Sequence, residues 1–124
     1  MNEALRADHF EQITTERARR MYDYLCQACD RRQDGLTDPD QALIADCAYM
    51  EQTKEMMQAH IREHGLGWER TNGRQRYYQE NKNLGLYRMY SDQQRKILGE
   101  LRLTPCRRGA AQVSIDDDFD SFED

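Results

Sequence analysis

The sequence has no apolar run approaching the roughly 18–20 residues that a bilayer span requires, so a membrane-embedded chain is not expected. Its first residues, Met-Asn-Glu-Ala-Leu-Arg-Ala-Asp, lack the basic-then-apolar order of a secretory leader. It has no glycine-rich phosphate loop, no nucleophile motif and no histidine with an evident acid partner. Catalysis, a cofactor and a catalytic metal are therefore not expected. Four cysteines without an export signal read as reduced intracellular thiols. Apolar residues are also scarce, at 38% against 33% charged. In a single domain of 124 residues that makes a thin core. Extended helices that finish burying their apolar faces in an oligomer fit it better than a self-sufficient monomer.

The charge that is present is segregated. Residues 65–109 hold ten basic and four acidic side chains, whereas residues 110–124 hold six acidic and none basic. The net charge of −5 thus hides a segment of +6 followed by one of −6. Residues 38–64 are also acidic.

Along the chain, residues 3–32 read as one long helix, because no Gly or Pro interrupts them. Leu5, Phe10, Ile13, Met21, Tyr22, Leu25 and Ala28 supply an apolar face, with Arg17, Arg19, Arg20, Arg31 and Arg32 outside. Those arginines suit phosphate contact, and equally suit solvation beside Glu11, Glu16, Asp23 and Asp30. Gly35 marks a break. Asp38 is then expected to cap a second helix, with Pro39 in its first position, running to His64 and stopping at Gly65. Leu43, Ile44, Cys47, Met50, Met57 and Ile61 form its stripe, interrupted by Lys54. Two long helices with a short connection predict an antiparallel hairpin.

Asn72-Gly73, between arms bearing Trp68, Tyr77 and Tyr78, predicts a small β-ribbon turning on that dipeptide. Such a ribbon is marginal alone and should lean on helices or on a neighbouring subunit. Asn81 opens a third helix, residues 81–102, whose stripe is Leu86, Tyr90, Ile97 and Leu101, widened by Leu84, Tyr87, Met89 and Leu98. Pro105 blocks its continuation. The end, Asp116-Asp117-Asp118-Phe119-Asp120-Ser121-Phe122-Glu123-Asp124, has the composition of a disordered acidic tail, either merely solubilising or able to dock on a basic partner.

Two clusters are candidates for a site. Cys26-Gln-Ala-Cys29 and His60-Ile-Arg-Glu-His64 have ligand-like internal spacing. The hairpin, however, gathers Cys26, Cys29 and Cys47 and keeps the histidines away, so buried core thiols are the simpler expectation. In the ribbon, Arg70, Arg74 and Arg76 interleave with Trp68, Tyr77 and Tyr78, a mixture suited to phosphate contact with stacking. The competing expectation is that Trp68 and the tyrosines pack into the core while the arginines solvate or pair with the acidic second helix.

Thr37-Asp38-Pro39-Asp40 opening a helix, the stop at Glu63-His64-Gly65, a turn-rich segment, and Asn81 leading a helix that ends Leu103-Thr104-Pro105-Cys106-Arg107-Arg108 together resemble the small subunits of tailed-phage terminases. The likeness spans residues 36–108. It departs from the family's common pattern at Arg102, where glycine usually precedes Leu-Thr-Pro, and at Lys82, where proline often follows the opening Asn. The resemblance implies a non-enzymatic DNA-packaging factor in the host cytoplasm. It would assemble as a homo-oligomeric ring, recognise the packaging site on double-stranded phage DNA and hand it to the large ATPase/nuclease subunit.

The combined expectation is an all-α fold: a long antiparallel hairpin, a third helix and a possible small β-hairpin, arranged in a ring. Residues 1–35 form the first helix, 36–109 the family-like region and 110–124 the tail. Candidate DNA contacts are Arg70, Arg74, Arg76, Lys82, Arg107 and Arg108, with Arg17, Arg19 and Arg20 as a second patch. Asp116, Asp117, Asp118, Phe119 and Phe122 are candidates for meeting the large subunit. The rival expectation is a helical protein–protein adaptor whose basic segment clamps the acidic tail.

Overall fold

The computed structural model describes residues 1–104; Cys106, Arg107, Arg108 and the acidic tail lie outside them. The described chain is mostly helical. Its elements are α1 (Glu3–His9), α2 (Glu16–Asp30), α3 (Asp38–His64), the strands β1 (Gly67–Asn72) and β2 (Gln75–Glu80), and α4 (Lys82–Glu100). Helices α2 and α4 both pack on α3. Arg17 of α2 meets Glu51 of α3 while Arg32, just past α2, meets Asp40, so this pair is antiparallel. Lys54 to Gln94 and Gln58 to Tyr87 set α4 antiparallel to α3 as well.

The first helix is not continuous, contrary to the sequence expectation. The chain breaks between His9 and Glu16 because Thr15 caps α2, its hydroxyl accepting from Ala18 N–H at 3.3 Å, with Glu16 in the first turn. Gln52 of α3 satisfies the backbone freed there. Its side-chain oxygen accepts from Thr14 and Thr15 N–H at 2.7 and 3.0 Å, and its amide donates to the Gln12 carbonyl at 3.0 Å. Neither Gly nor Pro is needed when a third element supplies the partners. Helix α1 folds back and is fastened by Arg6 on Asp23 and by Gln41, which bonds the Asn2 backbone and the fully buried Tyr22 hydroxyl. Burial pushes the Tyr22 hydroxyl up to about 12.

Thr37, not Asp38, caps α3. Thr37 Oγ1 accepts from Asp40 N–H, and the Asp40 carboxylate accepts from Thr37 N–H, a reciprocal capping box that places Pro39 in the first turn. At the other end Gly65 adopts φ +86° and its N–H reaches the Ile61 carbonyl at 2.7 Å.

Arg32, expected on the outside, is buried. Its guanidinium donates to the Cys29, Leu101 and Gly35 carbonyls and pairs with Asp40. One side chain therefore closes the C-terminal ends of α2 and α4 against the start of α3. The rest of the core is Ile13, Met21, Tyr22, Leu25, Ile44, Ile97, Leu98, Leu101 and Leu103 with small residues between them. Cys26, Cys29 and Cys47 are buried within it and form no disulfide among the described residues; burial pushes Cys26 up to about 12 and Cys29 up to about 11. Among the described residues no group of three or more His, Cys, Asp or Glu is arranged to hold a metal.

The middle of α3 carries an unusual amount of buried polarity. Glu51, Lys54 and Gln94 are each at most 5% exposed. Arg17 Nε donates to Glu51 at 2.8 Å, Lys54 Nζ donates to Gln94 at 2.8 Å and lies 3.6 Å from Glu51, and Gln94 donates to Glu51 and to the Cys47 carbonyl. The lysine that interrupted the α3 stripe is thus a buried member of a network linking α2, α3 and α4. Burial opposes the Glu51 charge, but the Arg17 bond, the Lys54 charge and the Gln94 bond outweigh it and hold Glu51 below the usual carboxylate range.

Arg102 stands at φ +60°, where a side chain is strained and glycine is preferred. Its N–H bonds the Gly99 carbonyl, Leu103 N–H bonds the Leu98 carbonyl, and Leu98 and Leu103 are buried together. That is a complete Schellman stop for α4 with arginine in the left-handed position. An exposed pair with Asp34 accompanies it.

Glu51→Ala, which strands Lys54 in the interior, should lower unfolding free energy by about 3–5 kcal/mol in denaturant titrations. Because Glu51 and Asp40 have lowered pKa values in the fold, the stability they contribute is complete above the ordinary carboxylate range. It is lost as pH falls below the ordinary carboxylate range and through their folded values. Glu55, raised by burial, acts in the opposite sense. A Glu51→Gln variant should show a shallower acid transition, and an unaltered one would contradict this assignment. Arg102→Gly should raise the melting temperature, because the backbone relief of about 1 kcal/mol outweighs a solvent-exposed ion pair. A lower melting temperature would show that the Asp34 contact matters more than the backbone does.

Candidate nucleic-acid interface

The ribbon lies between the end of α3 and the start of α4, and its base is held by one residue. Asn81 is 1% exposed. Its side chain accepts from Asn83 N–H to cap α4, donates to the Gly65 carbonyl, and donates to His60 Nδ1 at 3.2 Å; its backbone N–H reaches the Leu66 carbonyl at 2.8 Å. Asn83 donates to the same imidazole nitrogen. The exit of α3, the root of β1 and the entry of α4 therefore share one hydrogen-bonded corner.

From that corner the strands run out for roughly 20 Å, at about 3.4 Å per residue. They pair antiparallel, with Trp68 opposite Gln79, Arg70 opposite Tyr77 and Asn72 opposite Gln75. The two-residue loop is Gly73-Arg74, with Gly73 at φ +64°, so the turn centre lies one residue beyond the Asn-Gly expected from sequence. Glycine first in a two-residue hairpin loop is the requirement of a type II′ turn. Apart from Gly67 and Gln79, which are half-buried, the ribbon residues are exposed, including Trp68 at 37%, Tyr77 at 46% and Tyr78 at 63%. The aromatics do not enter the core, and the ribbon projects instead of lying on the helices.

Strand alternation sorts its side chains by face. Trp68, Arg70, Tyr77 and Gln79 share one face, and Arg70 donates across it to Gln79 at 2.9 Å. Glu69, Thr71, Arg76 and Tyr78 share the other, with Arg74 at the tip. Tyr78 lies over Gly67, whose position leaves no room for a side chain: a Cβ there would also come within 2.6 Å of the Gln79 carbonyl oxygen.

Arg74, Arg76 and Lys82 are exposed and make no ion pair among the described residues. The second candidate patch is placed differently. Arg17 serves the buried Glu51. Arg19 donates to the Ile13 and Phe10 carbonyls and stacks over the Phe10 ring at 4.8 Å, holding the α1–α2 break. Arg20 is exposed beside a surface groove that Arg17, Met56 and Arg62 also line. The structure thus brings Arg70, Arg74, Arg76 and Lys82 to one projecting end, and separates them from Arg17, Arg19 and Arg20 near the start of α2. Arg107, Arg108 and the candidate tail contacts lie outside the described residues.

Sequence reasoning passed over Asn81 as a site-building residue and His60 as its partner. An Asn between a strand and a helix was legible as a cap, but its second and third bonds depend on where α3 ends.

Gly67→Ala should disturb the ribbon root selectively. The near-ultraviolet signal and the emission of Trp68 should change, while the helical far-ultraviolet signal and the melting temperature of the body stay close to wild type. Loss of the helical fold in this variant would show that the ribbon supports the body.

A family model described as phage terminase, small subunit, matches residues 18–118. No curated protein and no solved structure matches the chain. The match covers most of the chain, which therefore belongs to the phage terminase small subunits.

Proposed function

We propose that this small subunit closes into a ring of identical copies, grips the packaging-site duplex through the ribbons and presents it to the large ATPase/nuclease subunit. Membership of the family supports a DNA-packaging role, and the family is generally a non-catalytic regulator of a large subunit that carries the enzymatic activities. The observation that carries the finer reading is the ribbon. An exposed two-stranded arm places arginines on both faces and at its tip, with Trp68, Tyr77 and Tyr78 between them. Guanidinium groups meet phosphates, aromatic rings supply stacking or groove contact, and a projecting arm can reach a duplex that the helical body does not touch.

Self-association is supported by what the helices leave open. Helix α3 has 27 residues, a rod of about 40 Å, whereas α2 has 15 and extends about 22 Å. Among the described residues, the far half of α3, beyond the start of α2, has α4 along one side only. The α4 stripe continues there as Leu86 and Met89, both exposed, and Met56 of α3 is 69% exposed. A second copy covering these side chains would complete the thin core. Closure would also multiply weak phosphate contacts through effective concentration, so no single ribbon need bind tightly. A helical adaptor without DNA would explain the exposed aromatics, but membership of a packaging family favours the duplex as the ribbon's ligand.

In this reading Arg70, Arg74, Arg76 and Lys82 are the first phosphate contacts, joined by Arg107 and Arg108, and Arg20 is the open member of the patch with Arg17 and Arg19. The tail residues Asp116, Asp117, Asp118, Phe119 and Phe122 meet the large subunit. Binding of a packaging-site duplex measured over a series of salt concentrations tests the ribbon assignment. The double variant Arg74→Ala/Arg76→Ala should keep the fold and reduce the slope of log K against log salt by about 2 for each ribbon engaged, one phosphate contact accounting for roughly 0.9. An unchanged slope would move the contacts off the ribbon.

A further inference from the structure

We infer that the ribbon has a second ligand within the same chain: the acidic segment of residues 116–124 docks on it and competes with DNA for its arginines. The competition rests on the reading of the ribbon as the DNA grip; the docking itself does not.

Charge complementarity is the first support. The segment Asp116-Asp117-Asp118-Phe119-Asp120-Ser121-Phe122-Glu123-Asp124 carries six carboxylates and no cation, with two phenylalanines among them. The ribbon offers Arg70, Arg74 and Arg76 beside Trp68, Tyr77 and Tyr78, all exposed. Spaced carboxylates stand in for phosphates, and spaced phenyl rings stand in for stacked bases. No other exposed surface among the described residues combines unpaired arginines with several exposed aromatic rings. The groove beside Arg20 and Arg62 has a similar charge balance, since Glu16 and Glu55 stand there as Glu69 and Glu80 stand on the ribbon, but no aromatic ring lines it.

Reach is the second support. The described chain stops at Thr104, at the end of α4 opposite the ribbon. Helix α4, with 19 residues, separates the two by about 28 Å. Residues 105–115 can extend about 36 Å, so residue 116 can stand at the ribbon root without leaving its own subunit. A tether of that length holds the acidic segment near the ribbon at millimolar effective concentration. Even a weak contact is then populated at low salt, and a polyanion of higher charge density displaces it. Displacement frees the segment for another protein at the moment DNA is engaged, which orders the two steps of delivery.

The chain has a single tryptophan, Trp68, on the ribbon, so its emission reports the contact directly. The test compares the wild-type chain with a full-length variant in which Asp116, Asp117, Asp118 and Asp120 are replaced by Asn. In the wild type, raising salt should release the tail and shift Trp68 emission toward that of the variant; the variant should respond little. The variant should also bind a short duplex more tightly at low salt. If the tail occupies the ribbon about nine-tenths of the time, the gain is about tenfold. Identical, salt-indifferent Trp68 emission in the two proteins would overturn the docking, whether or not either binds DNA. A tail-dependent shift with no duplex binding at any salt would uphold the docking and remove the competition together with the DNA reading. A shift that grows with protein concentration would assign the tail to a second copy and overturn the arrangement within one chain.

Discussion

A carboxylate withdrawn from water costs several kcal/mol unless donors and opposite charge meet it in fixed positions. Glu51 is in that situation, and the groups that meet it come from three helices. Arg17 comes from α2, Lys54 from one turn further along α3, and Gln94 from α4. Apolar contacts alone would let three amphipathic rods slide or rotate at modest cost. A buried charge tolerates few registers, and this one fixes how far α3 extends past α2. Arg32 does the equivalent work at the other end of the bundle, where it gathers the last carbonyls of α2 and α4.

The overhang that results has consequences for function. Where α2 has not yet begun, α3 and α4 form a two-helix arm with Met56, Leu86 and Met89 uncovered. The ribbon continues from that arm, rooted on Asn81 and His60. The well-packed half of the molecule is therefore the base, and the sparsely packed half is where the exposed apolar and aromatic side chains lie. Burial decreases along the molecule toward the ribbon, and low burial is the condition under which local opening costs least.

Much of this plan was legible in the residues. Gly65, the Thr-Asp-Pro-Asp opening and Asn81 each announce a boundary through local backbone chemistry, and the structure places a boundary at each within one residue. The hairpin was legible for the same reason, since only glycine readily supplies the positive φ of its loop. What escaped were features decided between elements. The break before Thr15 depends on Gln52, about forty residues further on, and the burial of Arg32 depends on Leu101. Lys54 looked like a flaw in an apolar stripe until Glu51 and Gln94 stood beside it. Arg102 departs from the family's usual glycine at a position whose backbone is left-handed, so the departure is one of strain and not only of charge. For the site, residue types and their grouping were visible in the ribbon, but whether its aromatics turn inward or outward was not.

Placing the ribbon at the free end of a rigid bundle, with the one indole of the chain on it, makes the central claim directly measurable. A packaging-site duplex should be titrated into the intact protein at low ionic strength, following Trp68 emission together with electrophoretic retardation of the DNA. The expected result is a saturable change in emission that tracks retardation and reverses on adding salt. Retarded DNA with the indole unmoved, or no retardation in dilute buffer, would contradict the ribbon as the element that holds the duplex.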